Sequence, residues 1–582
     1  MKKLNRKSKR VLFDPDVIAT AVSQAVEQDF REAQHVYCLN DSTVLYALNR
    51  QAGEILKKYC SPTQDVERLE SETYAKFREV NEHMRVINES LASSLPDPLT
   101  RIQSSTPMSE RIHLRAKALM NSVLGPFCLE EVYNQAKHSS GATVGVSYKD
   151  TSMEAKWVLP MTVTERAEEY IAEYLTWDHQ LRDAVDKFNG ERPLCGWYDV
   201  KNQSRATTVE KTTKKRRFIS VEPTANMFLQ QGLMRFLYGR MKLVGLDVET
   251  LPLTHKMLAR ESSISCRNAT IDWSSASDCV SLELLRWLLP KEWFEIIWDL
   301  RCDFASIEGE DVALNMISTM GNAVTFPLET LVFWTYAHAV RLSTKPGNSL
   351  FPEWEDLSLC SVFGDDCIVP SEIAHEYIHA LEGVGFIVNE EKTFVDQLQF
   401  RESCGGDYLA GYDVRPFFLK APSSCSLSAL EPWLYIIVNE LLQKYISYFG
   451  SLAYVYDKHV FRYLFSLFER YKLKVKLVPP FYPPDAGITS SDVGRLKREY
   501  GFSCDRIDVG NHGTVVFRYL SFRYWEDRNI DDGLRYSDWL KNPVILDRVP
   551  FKKLPIRKRG GYVVAKGATG HWSVPQITCG PM

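Results

Sequence analysis

The sequence runs to 582 residues, 45% of them apolar and 12% aromatic, with a net charge of −4. That length exceeds what one hydrophobic core normally supports, so two or more subdomains are expected, and the near-neutral charge excludes a protein that coats nucleic acid over its whole surface. No apolar run approaches the ~18 residues of a membrane span.

The chain opens on Lys2, Lys3, Arg6, Lys7, Lys9 and Arg10, but Asp14 and Pro15 arrive before any apolar signal-peptide core could form. Thirteen cysteines, with no C-x-x-C among them, fit neither a disulfide framework nor a zinc ribbon. Both features point to a reducing cytoplasm. The N-terminal third reads as mainly helical, as in "DVERLESETYAKFREVNEHMRVINESLA" from Asp65, up to a turn-rich break at Ser93 to Pro107. A basic cluster, "KTTKKRRF", then sets Lys211, Lys214, Lys215, Arg216 and Arg217 directly before the β-like "FISVEP" and the apolar helical run "NMFLQQGLMRFLYGRM". Those neighbours should hold the charges in one place.

Next comes "ATIDWSSASDCVSLELLRWLLP". The apolar "ATI" reads as a strand ending at Asp272, where α/β sheets place their chemistry, and a leucine-rich helix is expected from Ser281. Asp278 falls close to that helix's start, where capping is the ordinary role of an aspartate. In "STMGNAVTFPLETLVFWTYAHAV", Ser318, Thr319, Gly321 and Asn322 form a small hydrogen-bonding loop ahead of a strongly apolar helix. The loop suits a sugar or a template backbone, and equally a Ser/Asn helix cap. "SVFGDDCIVP" offers a second strand running to Asp365 and Asp366, although Gly-Asp-Asp by itself is ordinary hairpin chemistry. Lys392, in "VGFIVNEEKTF", follows a short strand, where a lysine is solvated unless a triphosphate lies opposite. From Leu430 to Lys476 amphipathic helices return, followed by a turn-rich break at Val478 to Gly487. A last basic cluster, Lys552, Lys553, Arg557, Lys558 and Arg559, reads as a solvated run as readily as a binding patch.

If the two strands are neighbours, Asp272, Asp365 and Asp366 converge. Three carboxylates that close must share divalent cations to offset their repulsion. Two Mg²⁺ ions held about 3.5–4 Å apart would activate an attacking hydroxyl and neutralise a leaving oxygen at phosphorus. The chemistry implied is nucleotidyl transfer.

The order of these parts resembles the catalytic replicase subunit (β chain) of leviviruses, the positive-strand RNA bacteriophages, a family of RNA-dependent RNA polymerases. The resemblance runs over roughly residues 205 to 415. It passes from "KTTKKRRFISVEP", similar to motif F, through "IDWSSASD" (motif A), "STMGNAVTFPLE" (motif B), "VFGDD" (motif C) and "GFIVNEEKTF" (motif D) to "RESCGGDY" (motif E). It implies an α+β right-hand fold of fingers, palm and thumb, with an antiparallel palm sheet backed by helices. The implied divisions are an N-terminal region with part of the fingers (1–204), fingers with the basic segment (205–262), palm (263–415), and thumb with the C-terminal region (416–582). On this resemblance Asp272, Asp365 and Asp366 would hold two Mg²⁺ ions, for which Mn²⁺ or Ca²⁺ could substitute in binding. Asp278, Ser318 and Asn322 would sit around the incoming nucleotide, the first and last near its ribose, and Lys214 and Arg217 would contact its triphosphate. Lys392 would give a proton to the departing pyrophosphate. Ser403, Cys404 and Gly405 would lie near the growing 3′ end. Expected partners are RNA template and product, ribonucleoside triphosphates, host elongation factors Tu and Ts, a host ribosomal protein and a host RNA-binding factor, in the cytoplasm of the infected bacterium.

The same residues admit other readings. "HEYIH" matches the H-E-x-x-H zinc-protease pattern at His375 and His379. Against it, Ile373, Ala374, Tyr377, Ile378 and Leu381 define a buried face that leaves both histidines with Glu372 and Glu382 on the polar side, and Glu382 and Gly385 stand where the extended signature needs glycine and a third histidine. A reverse transcriptase generally carries a bulky residue near motif A, where this chain has the hydrogen-bonding Asp278. A protein that only binds RNA has no use for three converging carboxylates, which repel phosphate unless metals intervene.

Overall fold

Short β-branched and aromatic runs set among long amphipathic helices give the α+β architecture expected of this sequence. The structure, a computed structural model, describes residues 13–36, 42–146, 151, 153–190, 196–344, 352–395, 398–449, 457–489, 505, 508–509, 515–528 and 554–569. The N-terminal basic cluster, Lys552 and Lys553 lie outside the described residues, as do the side chains of Arg557, Lys558 and Arg559. Among the described residues no helix is long and apolar enough to cross a membrane.

A three-stranded antiparallel sheet carries the aspartates. The strand Asp366–Pro370 lies between Asn268–Ile271 and Ser361–Phe363, with Cys367 opposite Ile271 and Asp366 opposite Phe363. This corrects the expectation of adjacency: the strands leading into Asp272 and Asp365 share a central partner rather than pairing with each other. Ala269, Ile271, Val362, Cys367, Ile368 and Val369 are all buried, which is why these strands read as apolar runs instead of alternating. Gly364 and Asp365 form the two-residue hairpin loop between Phe363 and Asp366. Gly364 has φ of 58°, and a Cβ there would meet the Phe326 ring at 2.8 Å, so the loop requires glycine.

The helix Thr325–Thr344 packs beneath this sheet and is buried on nearly every side, as its lack of polar periodicity dictates. Phe333 stacks on Trp273 with centroids 5.4 Å apart and an interplanar angle of 10°. The Gly364 amide donates to Thr330 Oγ1 at 3.0 Å, tying the hairpin loop to the helix. The basic segment forms its own hairpin, Gln203–Thr212 with Lys215–Val221, in a sheet completed by Phe304–Ile307 and Glu310–Ala313. Phe218 of that hairpin stacks on Phe77 at 3.7 Å, anchoring it to the long helix Val66–Ser94.

Two large cores organise the molecule. One runs from Phe77 to Phe386 and encloses the aspartate sheet. The other joins Phe13–Tyr59 to residues between Val414 and Leu520. The expected 1–204 unit is therefore split: its first helices pack with the C-terminal helices, and the rest with the sheet. In the helix Pro15–Val36, Ile18, Val22 and Val26 form a buried i, i+4 stripe, and the helix packs on His459–Arg470. Asp29, wholly buried, accepts the amides of His459 at 2.8 Å and Val460 at 3.3 Å, supplying acceptors to that helix's free N-terminus.

Candidate active site

A cavity of about 2310 Å³ lies between the two cores. Asp272, Asp278, Asp365, Lys214, Arg217 and Lys392 all line it. Asp366, Ser318 and Asn322 do not.

Asp272 follows its strand directly, and the chain beyond it pairs Trp273 with Val388. That pairing brings Asn389 and Lys392 to the carboxylate: Asn389 Nδ2 donates to Oδ2 at 2.5 Å, and Lys392 Nζ lies 3.5 Å from Oδ1 and 3.7 Å from a Glu402 oxygen. Burial opposes the Lys392 charge, but Asp272, Glu402 and Asp366 outweigh it and raise its pKa, so Nζ is protonated at neutral pH. Asp365 stands exposed at the hairpin tip, with its pKa raised by desolvation and then by Asp272. Asp366 turns the other way. Its Oδ2 accepts the Cys404 amide at 3.1 Å and its Oδ1 the Ser403 hydroxyl at 3.4 Å. Burial, Asp365 and Asp272 together push its pKa up to about 7.

Asp278 ends the 3-10 turn Ala276–Asp278, and Ser281 rather than Asp278 caps the following helix, accepting the Leu284 amide at 3.1 Å. With the capping role taken, one Asp278 oxygen accepts the Met320 amide while Oδ1 is covered and unpartnered. Burial raises its pKa to about 7 against the pull of Arg217 and Lys211. Lys214 occupies the tip of the basic hairpin, and Arg217 stands opposite Val209.

Ser318 and Asn322 serve the start of the helix Thr325–Thr344. Ser318 Oγ accepts from Thr325 Oγ1 at 2.8 Å, and Asn322 Oδ1 accepts the Val324 amide at 3.0 Å while its side chain also bonds Glu222. Both are buried, at 3% and 6% exposure, and neither lines the cavity, so their side chains are engaged with the entry to this helix. The "HEYIH" histidines lie exposed on the helix Ala374–Glu382, whose Tyr377 and Leu381 are buried as expected. Among the described residues, three ligand atoms within 4.8 Å of one another occur at Asp29, Glu32 and His459, and neither at this motif nor at Asp272, Asp365 and Asp366, which do not converge as closely as the sequence implied. Among the described residues the zinc-protease reading thus has no third ligand.

A family model described as "RNA replicase, beta-chain" matches residues 16–443. The chain belongs to this family. The replicase chain is 31% identical over 540 residues to the RNA-directed RNA polymerase subunit beta of Enterobacteria phage SP, covering 88% of this chain and 84% of that one. It is 31% identical over 379 residues to the subunit beta of Escherichia virus Qbeta (64% and 59% covered), and 34% identical over 312 residues to the beta chain of Escherichia phage MS2 (53% and 53%). By family it is an enzyme, an RNA-directed RNA polymerase. Among solved structures, the polymerase of bacteriophage phi12 matches with a TM-score of 0.36 and 12% identity over 96% of this chain and 89% of that one.

Three residues that the sequence analysis gave no role at the site also border the replicase chain's aspartates. Glu329, on the helix Thr325–Thr344, is 6% exposed, lines the cavity, and has Oε2 covered and unpartnered. Burial first, then Asp365 and Asp278, raise its pKa well above the carboxylate range. Its signal was a glutamate inside the otherwise apolar "TFPLETLVF". Lys211 lines the cavity with its pKa lowered by desolvation and by Arg217 and Lys392, and Asn389 holds Asp272. Asn389 was not distinguishable in sequence from a solvated turn residue, and Lys211 was visible only as one charge of the basic cluster.

Proposed function

We propose that the replicase chain copies an RNA template by nucleotidyl transfer at this cavity. The observation that carries the reading is the arrival of Asp272 and Asp365 in one cavity with Lys211, Lys214 and Arg217. The donor set suits hard divalent cations: the Asp365 and Asp366 pKa values are raised by burial first and then by neighbouring aspartates, a repulsion that a cation relieves. Asp272 and Asp365 would hold two Mg²⁺ ions, with Asp366 an adjacent ligand. When bound, such ions lower the pKa of an attacking hydroxyl and stabilise the leaving oxygen.

The chain's own groups supply the remainder. Lys214 and Arg217, with Lys211, bind the triphosphate and set it in line. Asp278 Oδ1 accepts a hydrogen bond from the ribose and so excludes substrates that lack its donor. Lys392 holds a proton at Nζ and delivers it to the departing pyrophosphate. In this reading 263–415 is palm, 205–262 fingers, 416–582 thumb joined by the first helices, and the complex with host elongation factors and RNA-binding proteins replicates a positive-strand phage genome in the bacterial cytoplasm. The test is incorporation of labelled ribonucleotide on an RNA template by the purified chain, with and without Mg²⁺, then with host factors added singly. Mg²⁺-dependent synthesis supports the reading, and none under any combination refutes it.

A further inference from the structure

The metal-facing loop is tied to the rest of the fold through one buried histidine. His255, on the helix Leu251–Ser265, has 0% exposure, and both ring nitrogens are engaged: Nδ1 lies 2.9 Å from Ser403 Oγ and Nε2 lies 2.9 Å from Ser361 Oγ. Ser361 begins the strand that leads to Asp365. Ser403 ends the strand Phe400–Ser403, and its hydroxyl reaches Asp366 Oδ1 at 3.4 Å beside the Cys404 amide on Oδ2 at 3.1 Å. Three segments far apart in sequence thus meet at one imidazole.

Proton counting orders this row. The Ser403 hydroxyl donates to Asp366 Oδ1, so the hydrogen between them belongs to Ser403. A serine has one proton, so Ser403 can only accept from His255, which requires Nδ1–H. Burial drives the His255 pKa down to about 4, so the ring is neutral and its Nε2 is an acceptor, filled by the Ser361 hydroxyl.

We propose that His255 is a positioning residue for the cation site: the directed row Ser361 to His255 to Ser403 to Asp366 fixes the Asp366 carboxylate on the 403–404 hairpin. It thereby sets how the loop presents Asp365 to the cavity. The row acts on a metal ligand from outside the coordination sphere, where loss of such a partner costs about tenfold or more in metal affinity. The inference rests on the reading of Asp365 and Asp366 as cation-binding.

The test has two arms. Nitrogen NMR of the metal-free protein, labelled at histidine and held above the Asp366 pKa, reads the tautomer directly, with the signal assigned by its loss in His255→Asn. Protonated Nδ1 and bare Nε2 are expected, and protonated Nε2 overturns the proposal. Calorimetric Mg²⁺ titration of RNA-free protein is the second arm. His255→Phe and Ser403→Ala should each weaken binding about tenfold, with the double variant no worse than either single, since both cut one row. Unchanged affinity, or additive losses, overturns the proposal, and Ser403→Ala alone decides it if His255→Phe does not fold. Mg²⁺ affinity that survives Asp365→Asn intact would instead sink the cation reading itself, leaving the tautomer result standing separately.

Discussion

A covered, unpartnered carboxyl oxygen gains most from a hydrogen-bond partner brought by a ligand, and Asp278 Oδ1 and Glu329 Oε2 are two such atoms in one cavity. Asp278→Ala should shrink the preference for ribo- over deoxyribonucleotides about tenfold, read by single-nucleotide incorporation with matched substrates. Asn322→Ala should leave that ratio alone and cost about 1–3 kcal/mol of stability in thermal unfolding, because its side chain is spent on Val324 and Glu222. The pH dependence has a definite sign. A folded-state pKa near 7 against an ordinary 3.8 means that Asp278 favours the fold below about pH 4 and loses that contribution as pH rises through 7. Asp278→Asn should accordingly raise the melting temperature of metal-free protein at about pH 8 and give no such gain at about pH 4. Equal gains at both would contradict the burial that defines this site.

At the scale of elements, the motif loops lean on one another through backbone. The Ser220 amide donates to the Met320 carbonyl at 2.8 Å, and the Met320 amide reaches Asp278, so the basic hairpin, the motif B loop and the motif A turn form one unit. Gly321 makes this contact possible: its φ is 119°, and a Cβ would lie 2.0 Å from the Ser220 carbonyl oxygen. Gly321→Ala should cost about 1–3 kcal/mol and most of the synthesis rate. His375→Ala with His379→Ala, on an exposed helix face, should change stability by no more than about 0.5 kcal/mol and leave synthesis unaltered. The strands before Asp272 and Asp365, the helix after Ser281 and the histidine face were legible because apolar runs and apolar periodicity are local. What Ser318 and Asn322 bond, and which way Asp366 faces, were not, because their partners at Thr325, Glu222 and Cys404 are fixed only by folding.

For the whole molecule, the decisive fact is that residues Phe13–Tyr59 share a core with the C-terminal helices, and the cavity is lined by Tyr46–Val66 from the first part of the chain together with residues up to Cys425. Nothing in the first helices announces this: Ile18, Val22 and Val26 mark a buried face, but not what covers it. A fragment ending at residue 204 should leave that face bare and be cleaved within it by protease, whereas the full chain should resist. The central claim is that Asp272 and Asp365 form a cation site for RNA synthesis. It is tested most directly by Asp365→Asn, assayed for Mg²⁺-dependent elongation on an RNA template alongside thermal unfolding without metal. The expected result is loss of synthesis in a protein that melts no lower than wild type, since removing one charge relieves repulsion from Asp272. Near-normal elongation by that variant would contradict the claim.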